Sequence, residues 1–153
     1  MAETNKRILV VDDDSTLTEL LEMVLVDGGY GVTVVRNGRE AVREAVADPP
    51  DLIVLDILMP EMDGWETSEH LLSHERTAKI PIIFLTARVS PEDQLRGWYR
   101  GCFAYLTKPF DIQELLEKVE QALAPPSAEL EALKRDLRQR NISALEQIVV
   151  ETE

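Results

Sequence analysis

Ile8-Leu9-Val10-Val11-Asp12-Asp13-Asp14 is the stretch whose reading decides the fold. Four consecutive apolar residues, three of them β-branched, are too uniformly apolar for a half-exposed strand. They read as a strand buried on both faces, the situation of a parallel sheet covered by helices on each side. The run stops abruptly on three aspartates, so the carboxyl end of this strand carries the polar groups. Leu17, Leu20, Leu21, Val24 and Leu25 then recur with helical spacing, and Gly28-Gly29 closes that helix.

The same rhythm continues outward. Gly31 to Val35 reads as a second strand, and Ala41, Val42, Ala45 and Val46 as the inner face of a second helix closed by Pro49-Pro50. Leu52-Ile53-Val54-Leu55 is a third strand, and it too ends on an aspartate, Asp56. A third helix spans Gly64 to Leu72, and a fourth strand runs from Ile80 to Leu85 into Thr86-Ala87. Ser90 before Pro91 is an N-cap followed by proline at the first helical position. Phe103 to Leu106 is a fifth strand ending at Thr107-Lys108-Pro109, and Asp111 with Glu114 resembles a capping box opening a fifth helix to about Leu123. Five strands alternating with five helices predict an α/β domain, doubly wound around a parallel sheet. Pro125-Pro126 ends it. Ser127 to Glu153 carries a helical pattern with Leu130, Leu133 and Leu137 on one stripe, Asn141 as an interruption and Ser143 with Glu146 as a second cap. That tail is too short to bury a core of its own.

Composition narrows the function classes. The 153 residues are 44% hydrophobic and 29% charged, which suits one globular domain with modest extras. With 16 Lys plus Arg against 29 Asp plus Glu, the net charge of −13 gives no electrostatic pull toward nucleic acid or anionic lipid. The single cysteine, Cys102, allows neither an internal disulfide nor a cysteine metal framework, which points to a reducing, cytoplasmic setting. The polar start Met1 to Arg7 lacks the pattern of a signal peptide, and no window approaches ~18 uninterrupted apolar residues.

The chemistry lies in the residues that end the strands. In open parallel sheets, ligands bind outside the carboxyl ends of the strands, where strand order reverses. Asp12-Asp13, Asp56, Thr86 and Lys108 all fall at such ends. Three carboxylates crowded on one rim repel one another unless a cation sits between them, and a hard, oxygen-binding ion such as Mg2+ suits that set. A carboxylate nucleophile, a divalent metal, a lysine and a hydroxyl are the parts needed to move a phosphoryl group onto an aspartate.

These residues also carry a family likeness. Ile8 to Asp14, then Leu55-Asp56-Ile57-Leu58-Met59-Pro60-Glu61-Met62-Asp63-Gly64, then Leu85-Thr86-Ala87, then Tyr105-Leu106-Thr107-Lys108-Pro109-Phe110 resemble the receiver domain of bacterial two-component response regulators. The resemblance covers residues 5–124 and implies a flavodoxin-like strand order 2-1-3-4-5. It implies Asp56 as phosphoacceptor, and Mg2+ held by Asp12, Asp13, Asp56 and the backbone carbonyl of Leu58. It also implies Lys108 on the phosphoryl oxygens, with a cis Lys108–Pro109 bond. Thr86 would swing toward the new phosphoryl group and Tyr105 would follow it inward, switching the surface of the fourth helix, fifth strand and fifth helix. The phosphoryl donor would be a sensor histidine kinase or a histidine phosphotransfer protein, and the output a downstream protein partner. The chain would be a phosphoacceptor and not an enzyme in the usual sense. Residues 127–153 are then either the tail of a stand-alone regulator or an interdomain helix of a longer one, able to pair in a homodimer.

Other readings of the same residues are weaker. An aspartate-nucleophile phosphatase needs a second acid two residues after the nucleophile, where Leu58 stands. A flavin-binding protein needs a phosphate cradle where Asp12 to Asp14 would repel phosphate. A degenerate receiver would lack a key residue, and none is missing. His70 and His74, four apart on a helix, read as an ordinary exposed face, Asp14 as a cap, and Cys102 as a small buried hydrophobe. Trp98, Tyr99 and Phe103 form an apolar cluster that fits a partner surface or local packing equally well. Leu58 and Arg88, two residues after the phosphoacceptor and the threonine, stand where the family tunes hydrolysis. A leucine cannot orient water, which implies a long-lived phosphorylated state.

Overall fold

A computed structural model describes residues 5–87, 90–99, 102–125 and 127–152. Arg88, Pro126 and the side chain of Leu130 lie outside the described residues. The elements run β1 (Arg7–Val11), α1 (Ser15–Asp27), β2 (Gly31–Val35), α2 (Gly38–Ala47), β3 (Leu52–Asp56), α3 (Gly64–Ser73), β4 (Ile82–Thr86), α4 (Pro91–Tyr99), β5 (Ala104–Thr107), α5 (Ile112–Ala122) and α6 (Ala128–Thr152). The five strands form one parallel sheet in the order β2-β1-β3-β4-β5.

Strand alternation divides the core into two layers. Ile8, Val10, Leu52, Val54, Ile83, Leu85 and Leu106 face one side and meet Leu21 and Leu25 of α1 and Leu115 and Val119 of α5. Leu9, Val11, Ile53, Leu55, Ile82 and Phe84 face the other and meet Ala41 and Ala45 of α2 and Trp65 and Leu71 of α3. β3 and β4 are buried at every residue, which is why their sequences are apolar up to the final Asp56 and Thr86.

Several boundaries and faces differ from the sequence reading. β4 begins at Ile82 instead of Ile80, because the Ile80 amide bonds the Thr77 carbonyl in a turn and Pro81 has no N–H to donate. β5 begins one residue later, at Ala104. In α1 the buried stripe is Thr18, Leu21 and Leu25. Leu20 sits about 100° around the helix from Leu21 and is 43% exposed. Asp111 caps α5 through the Gln113 amide.

The tail departs furthest. α6 is a single helix of 25 residues, with Asn141 and Ser143 inside it. Ser143 acts as no cap; its hydroxyl accepts from Gln139 one turn earlier. Ion pairs Glu131–Lys134 and Asp136–Arg140 lace the first half. The helix packs against α4, and its half-buried to buried stripe is Lys134, Arg138, Ile142, Leu145 and Val149. Leu133 and Leu137 are exposed. Long basic side chains cover apolar surface with their methylene stems, so an inward stripe need not look apolar in sequence.

Candidate functional site

β1 and β3 are neighbours, with Val11 paired to Leu55, so Asp12 and Asp56 end adjacent strands at the same level. This lies where strand order reverses, β1 sending one neighbour to each side. Both carboxylates are buried, while Asp13 is exposed. One carboxylate oxygen from each of Asp12, Asp13 and Asp56 falls within 4.8 Å of the others. Asp12 is held by two donors, the Asp14 amide at 2.9 Å and the Lys108 ammonium at 2.9 Å. The same ammonium reaches Asp56 Oδ1 at 3.4 Å.

Electrostatics follow from this crowding. Burial, and then the neighbouring charge of Asp12, push the Asp56 carboxyl up to about 6, against the opposing pull of Lys108. For Lys108, burial pulls the ammonium down, but its bond to Asp12 and the charges of Asp12 and Asp56 more than reverse that, so it is raised. The metal-free site therefore holds more negative charge than one lysine neutralises. Three carboxylates at this spacing, with Asp13 open to solvent, suit a hard divalent cation that keeps part of its water shell.

The loop after β3 is shaped by Gly64. Its amide bonds the Ile57 carbonyl at 2.8 Å, and a Cβ there would stand 2.5 Å from the Asp56 carbonyl oxygen. Glycine thus lets α3 start directly against the strand end, with Asp63 capping it through the Glu66 amide. Leu58 in that loop is 62% exposed. Thr86 is fully buried at the end of β4, and its carbonyl accepts the Lys108 amide at 2.6 Å. The Lys108–Pro109 peptide is cis.

Tyr105 is already turned inward. Its ring stacks on Phe84 at 5.4 Å, with Trp65 and Trp98 edge-on at 6.3 and 6.1 Å, and its hydroxyl donates to the Asp93 carbonyl of α4 at 2.9 Å. Gly97 makes this possible, since a Cβ at that position would overlap the Tyr105 hydroxyl. Sequence reasoning passed over Gly97 and Trp65; a lone glycine inside a helical pattern was the available signal. His74 uses its Nδ1 to accept the Arg76 amide, and neither histidine belongs to a candidate metal group among the described residues. Cys102 is buried, and burial pushes its thiol up to about 12. Tyr99, 61% exposed, bonds Glu146 of α6, and Lys134 lies over the Phe103 ring, so the chain's own tail touches two of the three residues of the apolar cluster.

No described helix is long and apolar enough to cross a membrane. Comparison with protein families matches residues 8–120 to the response regulator receiver domain. The DNA-binding dual master transcriptional regulator RpaA of Synechocystis is 40% identical over 117 residues, 76% of this chain and 48% of that protein. The chain spans about half to three-fifths of the length of the curated relatives it matches. Chemotaxis protein CheY4 of Vibrio cholerae superposes with a TM-score of 0.74 at 32% identity, over 78% of this chain and all of that one. The receiver domain of sensor histidine kinase PA1611 of Pseudomonas aeruginosa, described with a magnesium ion coordinated in its active-site cleft, gives 0.71 at 32% identity over 78% and 98%. Fold, strand-end residues and homology agree: the chain belongs to the response regulator receiver domain family, homologous to two-component regulators whose general function is phosphorylation-dependent signalling.

Proposed function

We propose that Asp56 accepts a phosphoryl group from a sensor histidine kinase or histidine phosphotransfer protein. The observation that carries this reading is the single ammonium, Lys108, shared between Asp12 and Asp56 beside the exposed carboxylate of Asp13. A carboxylate oxygen of Asp56 attacks phosphorus, the donor's N–P bond breaks, and its electron pair leaves on the imidazole nitrogen. Lys108, already 3.4 Å from Asp56, balances charge on the phosphoryl oxygens. Mg2+, which Asp12, Asp13, Asp56 and the Leu58 carbonyl would hold, supplies further charge neutralisation when bound. The Thr86 hydroxyl hydrogen-bonds the transferred group, and the inward Tyr105 reports that state to α4, β5 and α5.

On this reading residues 5–124 form the receiver domain and 127–153 a tail, in the cytoplasm, acting on a protein partner. A net charge of −13 supports a protein partner over direct contact with nucleic acid or membrane. Incubation with a small phosphodonor and Mg2+ should add one phosphoryl group by intact mass. Asp56→Asn should abolish the increment and EDTA should suppress it. Label retained on the variant would overturn the assignment.

A further inference from the structure

α4 stands between two parts of the chain that the sequence gives no reason to connect. On one side Tyr105 bonds the Asp93 carbonyl and fills the space over Gly97. On the other α6 packs along the helix, with Ile142 buried, Leu145 half-buried and Glu146 accepting from the Tyr99 hydroxyl at 2.6 Å. Just beyond α4, Lys134 caps the Phe103 ring at 5.2 Å. The inward tyrosine and the docked tail therefore occur together in one arrangement, joined by a nine-residue helix.

We propose that docking of α6 on α4 and phosphoryl occupancy of the Asp12–Asp13–Asp56 cluster strengthen each other through the position of Tyr105 over Gly97. The proposal rests on the phosphoacceptor reading above. If a phosphoryl group draws Thr86 and Tyr105 inward, it favours the placement of α4 on which α6 is seated. Linkage makes the effect mutual, so whatever seats α6 also favours the phosphoryl group. Were Tyr105 to leave, the Asp93 carbonyl would lose its hydroxyl donor and the space over Gly97 would empty, removing contacts that fix α4 where α6 meets it. The α4 face is thus held by the chain's own helix, and a partner that needs this face competes with α6.

The test uses the full chain with beryllofluoride and Mg2+ as the phosphoryl mimic. Deuterium uptake over residues 128–152 is read alongside an affinity titration. In the unaltered protein, saturation should lower uptake across α6. Ile142→Asp should raise α6 uptake and weaken beryllofluoride binding by roughly 5- to 150-fold, the usual span of such couplings. Gly97→Ala should do both as well, and alanine favours the helix, so this variant keeps its fold. Wild-type affinity in an Ile142→Asp protein whose α6 exchanges freely would overturn the linkage while leaving the phosphoacceptor standing. So would wild-type affinity and α6 uptake in Gly97→Ala, or an α6 that exchanges faster on binding. An unaltered chain that takes up no beryllofluoride would sink the phosphoacceptor reading, and the linkage with it.

Discussion

A carboxyl held up to about 6 beside an ordinary value of 3.8 has consequences that can be signed. Folded, metal-free protein retains a proton on Asp56 over a range where the unfolded chain has lost it. This group therefore costs nothing below about pH 4, and its full penalty, about 3 kcal/mol, applies above about pH 6. Asp56→Asn should stabilise the metal-free protein at pH 7 by about 1–3 kcal/mol, and that gain should shrink as pH falls through 6. Calorimetry in EDTA at several pH values checks both. Proton competition has the opposite sign for function: Mg2+ uptake, followed by titration calorimetry, should weaken below about pH 6. Asp12, Asp56 and Lys108 were legible because each falls at the carboxyl end of a strand. Their charge imbalance was not, since it arises from burial and from one lysine bridging two carboxylates. Leu58, 62% exposed on the loop after Asp56, has no polar side-chain atom to orient an attacking water. Replacing it by asparagine should shorten the phosphorylated lifetime, as read by the decay of the phosphoryl mass increment.

Elements were legible where backbone chemistry is local, and blurred where a neighbour decides. Ser90 does cap α4, through the Asp93 amide at 3.2 Å, and the closing prolines end α2 as its side-chain pattern implies. The inward face of α6 was misread because the first half of its stripe is Lys134 and Arg138, whose stems cover apolar surface, while Leu133 and Leu137 face solvent. Leu20 was misassigned for a related reason, as helical spacing admits a neighbouring stripe one residue away. Gly64 shows what element geometry demands of one residue. A methyl group there would press on backbone atoms of Asp56 and Ile57, which cannot swing aside as a side chain tip would. Gly64→Ala should cost about 1–3 kcal/mol in urea denaturation and slow Asp56 phosphorylation by displacing the strand end.

At the scale of the whole molecule, strand order and site location are linked by topology: a chain that returns to place β3 beside β1 leaves a crevice between their ends, and the aspartates occupy it. That much could be inferred from four motifs in register. The seating of α6 could not, because it depends on which side of the Pro125 break the helix turns toward. The sheet and its two layers are complete without the tail, whose deepest contribution is Ile142 at 9% exposure. Burying one isoleucine is worth about 1.5–3 kcal/mol, and part of that is offset by ordering the tail. A chain ending at Ala124 should therefore still unfold in one cooperative transition, with a midpoint lower by only a few degrees, since ~1 kcal/mol corresponds to about 2–8 °C for domains of this size. It should also uncover the Phe103 ring and free Tyr99 from Glu146, raising the binding of a hydrophobic dye at unchanged far-ultraviolet signal per receiver residue. A truncated chain that loses its cooperative transition would mean that α6 belongs to the folding unit of the receiver and is not a helix laid upon it.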